Sequence, residues 1–191
     1  MISHLKSTKH EGLMLNSADG SFKVRSDSDF CGKWGKLTSS EDASACKLRA
    51  GHEITYAGFS VLCNSEIQTH VALSATEAEC IASSQALRDA IPIMQLMLEI
   101  EELGCNVCST VPKVTCKVFE DNEGSMELAM FPKIRPRTKH INQMFHDFMS
   151  CVSIGDAEIF PIYTKVQIGY IFTKPLSKEQ FLKLRLKLMG F

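Results

Sequence analysis

Nowhere in the 191 residues does an apolar run approach the ~20 residues that a membrane helix requires. The opening stretch, MISHLKSTKHEG, also lacks the apolar segment of a secretory leader. No membrane partner is expected, and with no secretion signal the chain is expected inside the cell, in cytoplasm or nucleus. Net charge is nearly absent as well: 21 basic residues stand against 22 acidic ones, giving −1 at pH 7. No overall field draws in a polyanion, so any nucleic-acid contact has to come from local basic clusters. A disulfide framework is not expected, because the eight cysteines are scattered in a chain without an export signal. Cys105 and Cys108 form a lone CxxC; no second pair stands at ligand spacing to complete a zinc site, and the pair reads as coincidence. Internal repeats and low-complexity segments are missing too.

What is present is ordinary for a folded chain. Hydrophobic residues make up 45% and charged residues 23%, far from the composition of disorder, and the length suits one domain with a buried core. Residues 1 to 18 read as a short helix or turn. Asp19-Gly20 then marks a tight turn before the alternating strand from Ser21 to Arg25. Lys36 to Lys47 is polar without periodicity and reads as a loop, with Trp34 just before it. Gly51 to Phe59 and Ser60 to Ser65 read as two strands joined around Gly58. From Ser74 to Leu103, Ala78, Ile81, Ala82, Ala86, Ala90, Met94, Met97 and Ile100 recur at helical spacing, with Pro92 expected to kink or divide the helix and Gly104 to end it.

The later chain continues the alternation of strand and helix. Val114 to Phe119 reads as a strand, Glu120-Asp121-Asn122 as an acidic turn, and Glu123 to Met130 as a helix. A basic run, Lys133, Arg135, Arg137, Lys139 and His140, leads into a helix with an apolar stripe from Ile141 to Val152. Ile159 to Tyr163 reads as a last strand. In the tail, Leu182 to Leu188 alternates like a strand, but the Ser177/Gln180 capping box and Gly190 favour a helix over Ser177 to Met189.

Carboxylates fall at the ends of these elements: Asp27 and Asp29 at the end of the first strand, Glu77 and Glu79 at the start of the long helix, Asp121 where a strand gives way to a helix. Acids gathered from such ends can hold two Mg²⁺ ions roughly 3.5–4 Å apart, which clamp the attacking and leaving oxygens of a phosphodiester. The alternative is bland, since solvated loops and first helical turns favour acids whatever the function. Likewise, the basic residues Lys133, Arg135, Arg137 and Lys139 are candidates for phosphate contacts or a solvated charged turn.

The stretch His70-Val71-Ala72-Leu73-Ser74-Ala75-Thr76-Glu77-Ala78-Glu79-Cys80-Ile81-Ala82 closely resembles the ALS-x-TEAEY-I-A signature of copia-type retrotransposon ribonuclease H domains. In the same order, Ser26-Asp27-Ser28-Asp29-Phe30-Cys31-Gly32 is similar to the family's D-A-D-[WF]-x-G opening, and Phe119-Glu120-Asp121-Asn122 to its x-x-D-N block. Arg137 to Asn142 and Ile171 to Leu176 resemble two further blocks. The resemblance implies an α/β fold, a ribonuclease H-like mixed five-stranded sheet flanked by helices, over residues 21–191. Residues 1–20 then resemble a remnant of the segment joining this domain to a reverse transcriptase, which is an expected partner outside this sequence. The implied activity is cleavage of RNA in RNA–DNA hybrids with two Mg²⁺ (or Mn²⁺) ions.

Carried over by position, the catalytic and metal-binding residues are Asp27, Glu79 and Asp121, with Asp29 a neighbour of no assigned role. Glu77 fits the third position of a capping box begun by Ser74, and Glu79 one begun by Thr76; the wider ribonuclease H pattern favours Glu79 for the site. The family's last block reads Q-[IL]-A-D-I-[FL]-T-K-P-L, whereas here it is Gln167-Ile168-Gly169-Tyr170-Ile171-Phe172-Thr173-Lys174-Pro175-Leu176. Tyr170 stands at the position of the fourth acid. A neutral phenol is a poor Mg²⁺ ligand, so the second ion site and the activity are expected to be impaired, and a non-catalytic domain of the same fold is the rival expectation.

Overall fold

A computed structural model describes residues 6, 8–14, 21–30, 48–69, 72–105, 115–130 and 142–190. The basic residues Lys133, Arg135, Arg137 and Lys139, the Lys36–Lys47 stretch, Trp34 and Cys108 lie outside the described residues. Alternation carries the first strand further than Arg25. β1 runs Phe22–Asp29, with Asp27 and Asp29 among its last residues, at the strand's end. On one face Phe22 and Val24 give way to Ser26 and Ser28, all buried, so the strand keeps its packing period while its end turns polar.

β1 pairs antiparallel with β2 (Arg49–Tyr56), and β2 pairs antiparallel with β3 (Phe59–Ile67). The connection turns on Ala57 and Gly58, both at positive φ (52° and 93°), the two-residue geometry that suits the twist of a hairpin. On its other side β1 pairs parallel with β4 (Cys116–Glu120), which pairs parallel with β5 (Ala157–Pro161). The result is a mixed five-stranded sheet in the order β3-β2-β1-β4-β5. β5 begins two residues before the expected Ile159, because Ala157 is buried as the partner of Cys116.

Helix α1 (Ala75–Glu102) is a single element of 28 residues, capped by Ser74 and closed by Gly104 at φ 86°. Pro92 therefore does not divide it. The buried Ala90 and Met94 on either side of Pro92 both pack into the core, and that packing holds the helix through the missing donor. α2 (Glu123–Met130) and α3 (Asn142–Ser153) follow the expected spans. The core lies between the sheet and these helices: Phe22, Val24, Ile54, Ala86, Leu87, Cys116, Val118 and Phe148 belong to one buried cluster. On the opposite face, a short helix α4 (Tyr170–Thr173) that the sequence reading did not foresee precedes α5 (Lys178–Leu188). For α5 the caps win over the alternation, with Ser177 Oγ accepting from the Gln180 N–H at 3.3 Å. No described helix is long and apolar enough to cross a membrane.

The β1–β4 ladder ends at Arg25↔Phe119, and past that pair the strands part. Their freed backbone groups are satisfied by side chains. Gln167 is fully buried, and its Nε2 donates to Ser26 O at 3.0 Å and Phe119 O at 3.2 Å, one carbonyl from each strand. α4 can lie against this end of the sheet because β2 has Gly51 there: a Cβ at that position would fall on the Cβ of Phe172 and within 2.9 Å of Thr173 Cγ2. Gln167→Leu keeps the volume but leaves both carbonyls unpaired; urea unfolding is expected to show a loss of about 2 kcal/mol or more.

Candidate metal centre

The parting of β1 and β4 opens a crevice at the carboxyl ends of two parallel strands, the place where open α/β sheets bind ligands. Asp27 and Asp121 come to it from the two strand ends and Glu79 from the first turns of α1. Each offers an oxygen, and the three oxygens lie within 4.8 Å of one another. Asp27 is fully buried and Glu79 nearly so, while Asp121 is partly exposed.

The two helix glutamates do different work. Glu77 belongs to the cap: its N–H donates to Ser74 Oγ at 3.1 Å, and its carboxylate accepts the Leu73 N–H at 2.7 Å. The helix is capped at Ser74, not at Thr76, which lies inside it, and Glu77 reaches back past the cap to the Leu73 N–H. Glu79, two residues on, accepts the Ser28 N–H at 3.0 Å, a β1 donor past the end of the β1–β4 ladder. Asp29 lies at the end of β1 and does not join the three.

Each remaining acid is held by hydroxyls or an ammonium. Asp27 accepts from the Thr173 hydroxyl and pairs with Lys174 Nζ at 2.8 Å. Asp121 accepts from Thr164 Oγ1 at 3.0 Å and from the Tyr170 hydroxyl at 2.7 Å. Tyr170 thus reaches the cluster itself. Burial, its hydrogen bond to Asp121 and the nearby negative charges push its phenol above the ordinary value, so it stays neutral and donates.

A fourth carboxylate lies beneath these. Glu120 is fully buried at the end of β4 and accepts from Ser83 Oγ at 2.9 Å and from the Asn122 N–H at 3.0 Å; Ser26 Oγ lies 2.9 Å from Ser83 Oγ. The sequence reading passed over it as part of an acidic turn. The signal was there in the strand period, which puts position 120 on the buried face with Cys116 and Val118. Thr173, Lys174, Thr164 and Gln167 were likewise not singled out.

Burial raises the pKa values of Asp27, Glu79 and Glu120. Desolvation lifts Asp27 to about 6 despite Lys174, and Glu120 to about 7. Desolvation, then the charges of Glu120 and Asp27, holds Glu79 well above the usual carboxylate range. The donor set fits a hard divalent cation: three carboxylate oxygens in reach of one centre, in surroundings short of positive charge. The residue at the fourth position fits less well, since Tyr170 brings a hydroxyl and no charge.

The fold defines a mixed α/β sheet with its candidate site at the switch between two parallel strands, the architecture implied by the sequence blocks. The chain is 25% identical over 181 residues, 95% of its length, to the retrovirus-related Pol polyprotein from transposon TNT 1-94 of Nicotiana tabacum. It is 26% identical over 182 residues to the retrovirus-related Pol polyprotein from transposon RE1 of Arabidopsis thaliana. It spans 12% and 11% of the length of these two relatives. No family model matches. Similar solved structures include the N-terminal ribonuclease H domain of a Mycobacterium tuberculosis protein, at 10% identity and TM-score 0.49, covering 87% of this chain and 97% of that one. Another is LC11-RNase H1 isolated from compost, at 14% identity and TM-score 0.49, covering 88% of this chain and 92% of that one. The sequence likeness is consistent with a ribonuclease H domain of a copia-type retrotransposon polyprotein.

A carboxyl whose pKa is higher folded than unfolded binds its proton more tightly in the folded chain. Its stabilising effect is full below the unfolded value and is lost as pH rises through the folded one, for Glu120 between 4.5 and about 7. Without divalent ions the chain is therefore expected to lose stability between pH 5 and pH 8. Glu120→Gln should flatten that loss by on the order of 2 kcal/mol, several degrees in thermal midpoint at pH 8. Parallel melting curves in a chelating buffer check this.

Proposed function

We propose that residues 21–191 are a ribonuclease H-like nuclease domain that hydrolyses the RNA strand of RNA–DNA hybrids, with activity lowered at Tyr170. Residues 1–20 then correspond to the segment that joins such a domain to a reverse transcriptase in a parent polyprotein, in cytoplasm or nucleus. The observation that carries the reading is the meeting of Asp27, Glu79 and Asp121 within 4.8 Å at the parted strand ends. Five ordered sequence blocks and the likeness to transposon Pol polyproteins support it, and the substrate class is the one that the resemblance of the blocks implies.

Asp27, Glu79 and Asp121 would hold the metal, which supplies positive charge against the attacking and leaving oxygens of a phosphodiester. The chain's own groups fix these ligands beforehand. The Ser28 N–H orients Glu79, the Thr173 hydroxyl orients Asp27, and the Thr164 hydroxyl orients Asp121. Such preorganisation means little rearrangement as charge develops. Lys133, Arg135, Arg137 and Lys139 are proposed to meet phosphates of the hybrid, fixing register rather than sequence.

Tyr170 weakens the set in two ways. It contributes no charge for a second ion, and its hydroxyl occupies Asp121 Oδ2 at 2.7 Å. That contact also favours the second reading, a non-catalytic domain of the same fold. Cleavage of a labelled RNA–DNA hybrid with Mg²⁺ or Mn²⁺ separates the two. Slow cleavage is expected from the natural chain and none from Asp27→Asn. Tyr170→Asp is expected to raise the rate on the order of tenfold or more. Equal rates for the natural chain and Tyr170→Asp contradict the account of the defect. Absence of cleavage by both folded proteins favours the non-catalytic reading.

A further inference from the structure

We propose that the Lys174 ammonium is a built-in counter-ion of the Asp27–Glu79–Asp121 cluster, braced by Tyr170, and that a divalent cation occupies the cluster by displacing it. The proposal rests on the reading of that cluster as a metal site.

Two of the three carboxylates are engaged from one short stretch of chain. Lys174 Nζ lies 2.8 Å from Asp27 Oδ1, and the Tyr170 hydroxyl donates to Asp121 Oδ2 at 2.7 Å. Residues 170 and 174 stand four apart around the α4 turn, with the Lys174 N–H donating to Tyr170 O at 3.0 Å, so both side chains leave on one side. The ammonium then sits 3.8 Å from the centre of the Tyr170 ring, a close cation–π contact. The phenol that replaces an acid thereby gives Lys174 a seat. An aspartate at 170 has no ring to offer and would bring a further negative charge.

Charge demand makes the arrangement competitive. Asp27 is fully buried, and Arg25, nearby on β1, is already paired with Glu53 at 3.1 Å. Lys174 meets the demand with one positive charge, and a divalent ion meets it with two. The lysine can also leave: its side chain is 30% exposed and its long stem allows the ammonium to swing to water while the stem stays packed. Thr173 holds Asp27 through the other carboxylate oxygen, Oδ2. Metal uptake is therefore opposed by the free energy that seats Lys174, and the apparent affinity falls by the fraction of molecules in which the cluster is open.

Mn²⁺ titration of the full chain, with the free ion counted by electron paramagnetic resonance, tests the proposal. Lys174→Met keeps an unbranched apolar stem without the charge and is expected to bind Mn²⁺ about tenfold more tightly, one opposing charge having been removed within a few ångströms. Asp121→Asn in both backgrounds is expected to abolish the tight binding, which places the counted ion at the cluster. A second measurement needs no substitution: saturating Mg²⁺ should shift one lysine ε-CH₂ resonance of the natural chain as Lys174 is released. Equal or weaker Mn²⁺ binding by folded Lys174→Met, or lysine resonances that ignore Mg²⁺ binding, overturns the displacement and leaves the metal reading standing. No Mn²⁺ binding by either chain overturns the metal reading and the displacement with it.

Discussion

Two parallel strands that cease to pair leave carbonyl and N–H groups that an interior cannot tolerate unsatisfied. In this chain that happens past Arg25 and Phe119, and the site grows out of how the groups are answered. One Gln167 amide bridges a carbonyl from each strand, and Glu79 accepts the Ser28 N–H. The carboxylate that holds the backbone is also one that faces the crevice. The backbone repair and the acidic cluster are thus a single construction, which ties α1, β1, β4 and the segment around Gln167 to one point.

The second constraint is electrostatic. Glu79, Glu120 and Asp27 are all buried, and each has its pKa raised chiefly by desolvation. Such a cluster is unfavourable unless its charges are neutralised, by protons, by a metal or by a cation from the chain. Hydroxyls of Ser83, Thr173 and Thr164 take up part of the demand, and Lys174 supplies one full charge. Tyr170 links the two needs, bonding one carboxylate while its ring carries the ammonium that pairs with another.

Sequence patterning made much of this legible, where the determinants are local. Ser74 and Ser177 mark helix starts by capping, and the alternation from Phe22 marks β1, although its polar end hid the last four residues of the strand. Asp27, Glu79 and Asp121 were reached by matching blocks, and the wider ribonuclease H pattern separated Glu79 from Glu77. What escaped depends on partners far along the chain. Pro92 looks like a break until Ala90 and Met94 are seen packed on the core. Gln167 looks like a surface amide until two strands part around it, and Lys174 like a solvated lysine until α4 turns it onto Asp27. Gly51 gave no local hint that it admits α4 to the sheet.

The central claim is that Asp27, Glu79 and Asp121 share a divalent ion at the parted strand ends. Crystals grown with Mn²⁺ and measured for its anomalous scattering test it most directly. The account predicts a peak in the crevice with oxygens of all three carboxylates at about 2.0–2.3 Å, the usual range for small hard cations. A well-ordered crystal with no peak there, or with the carboxylates held more than about 10 Å apart, contradicts it.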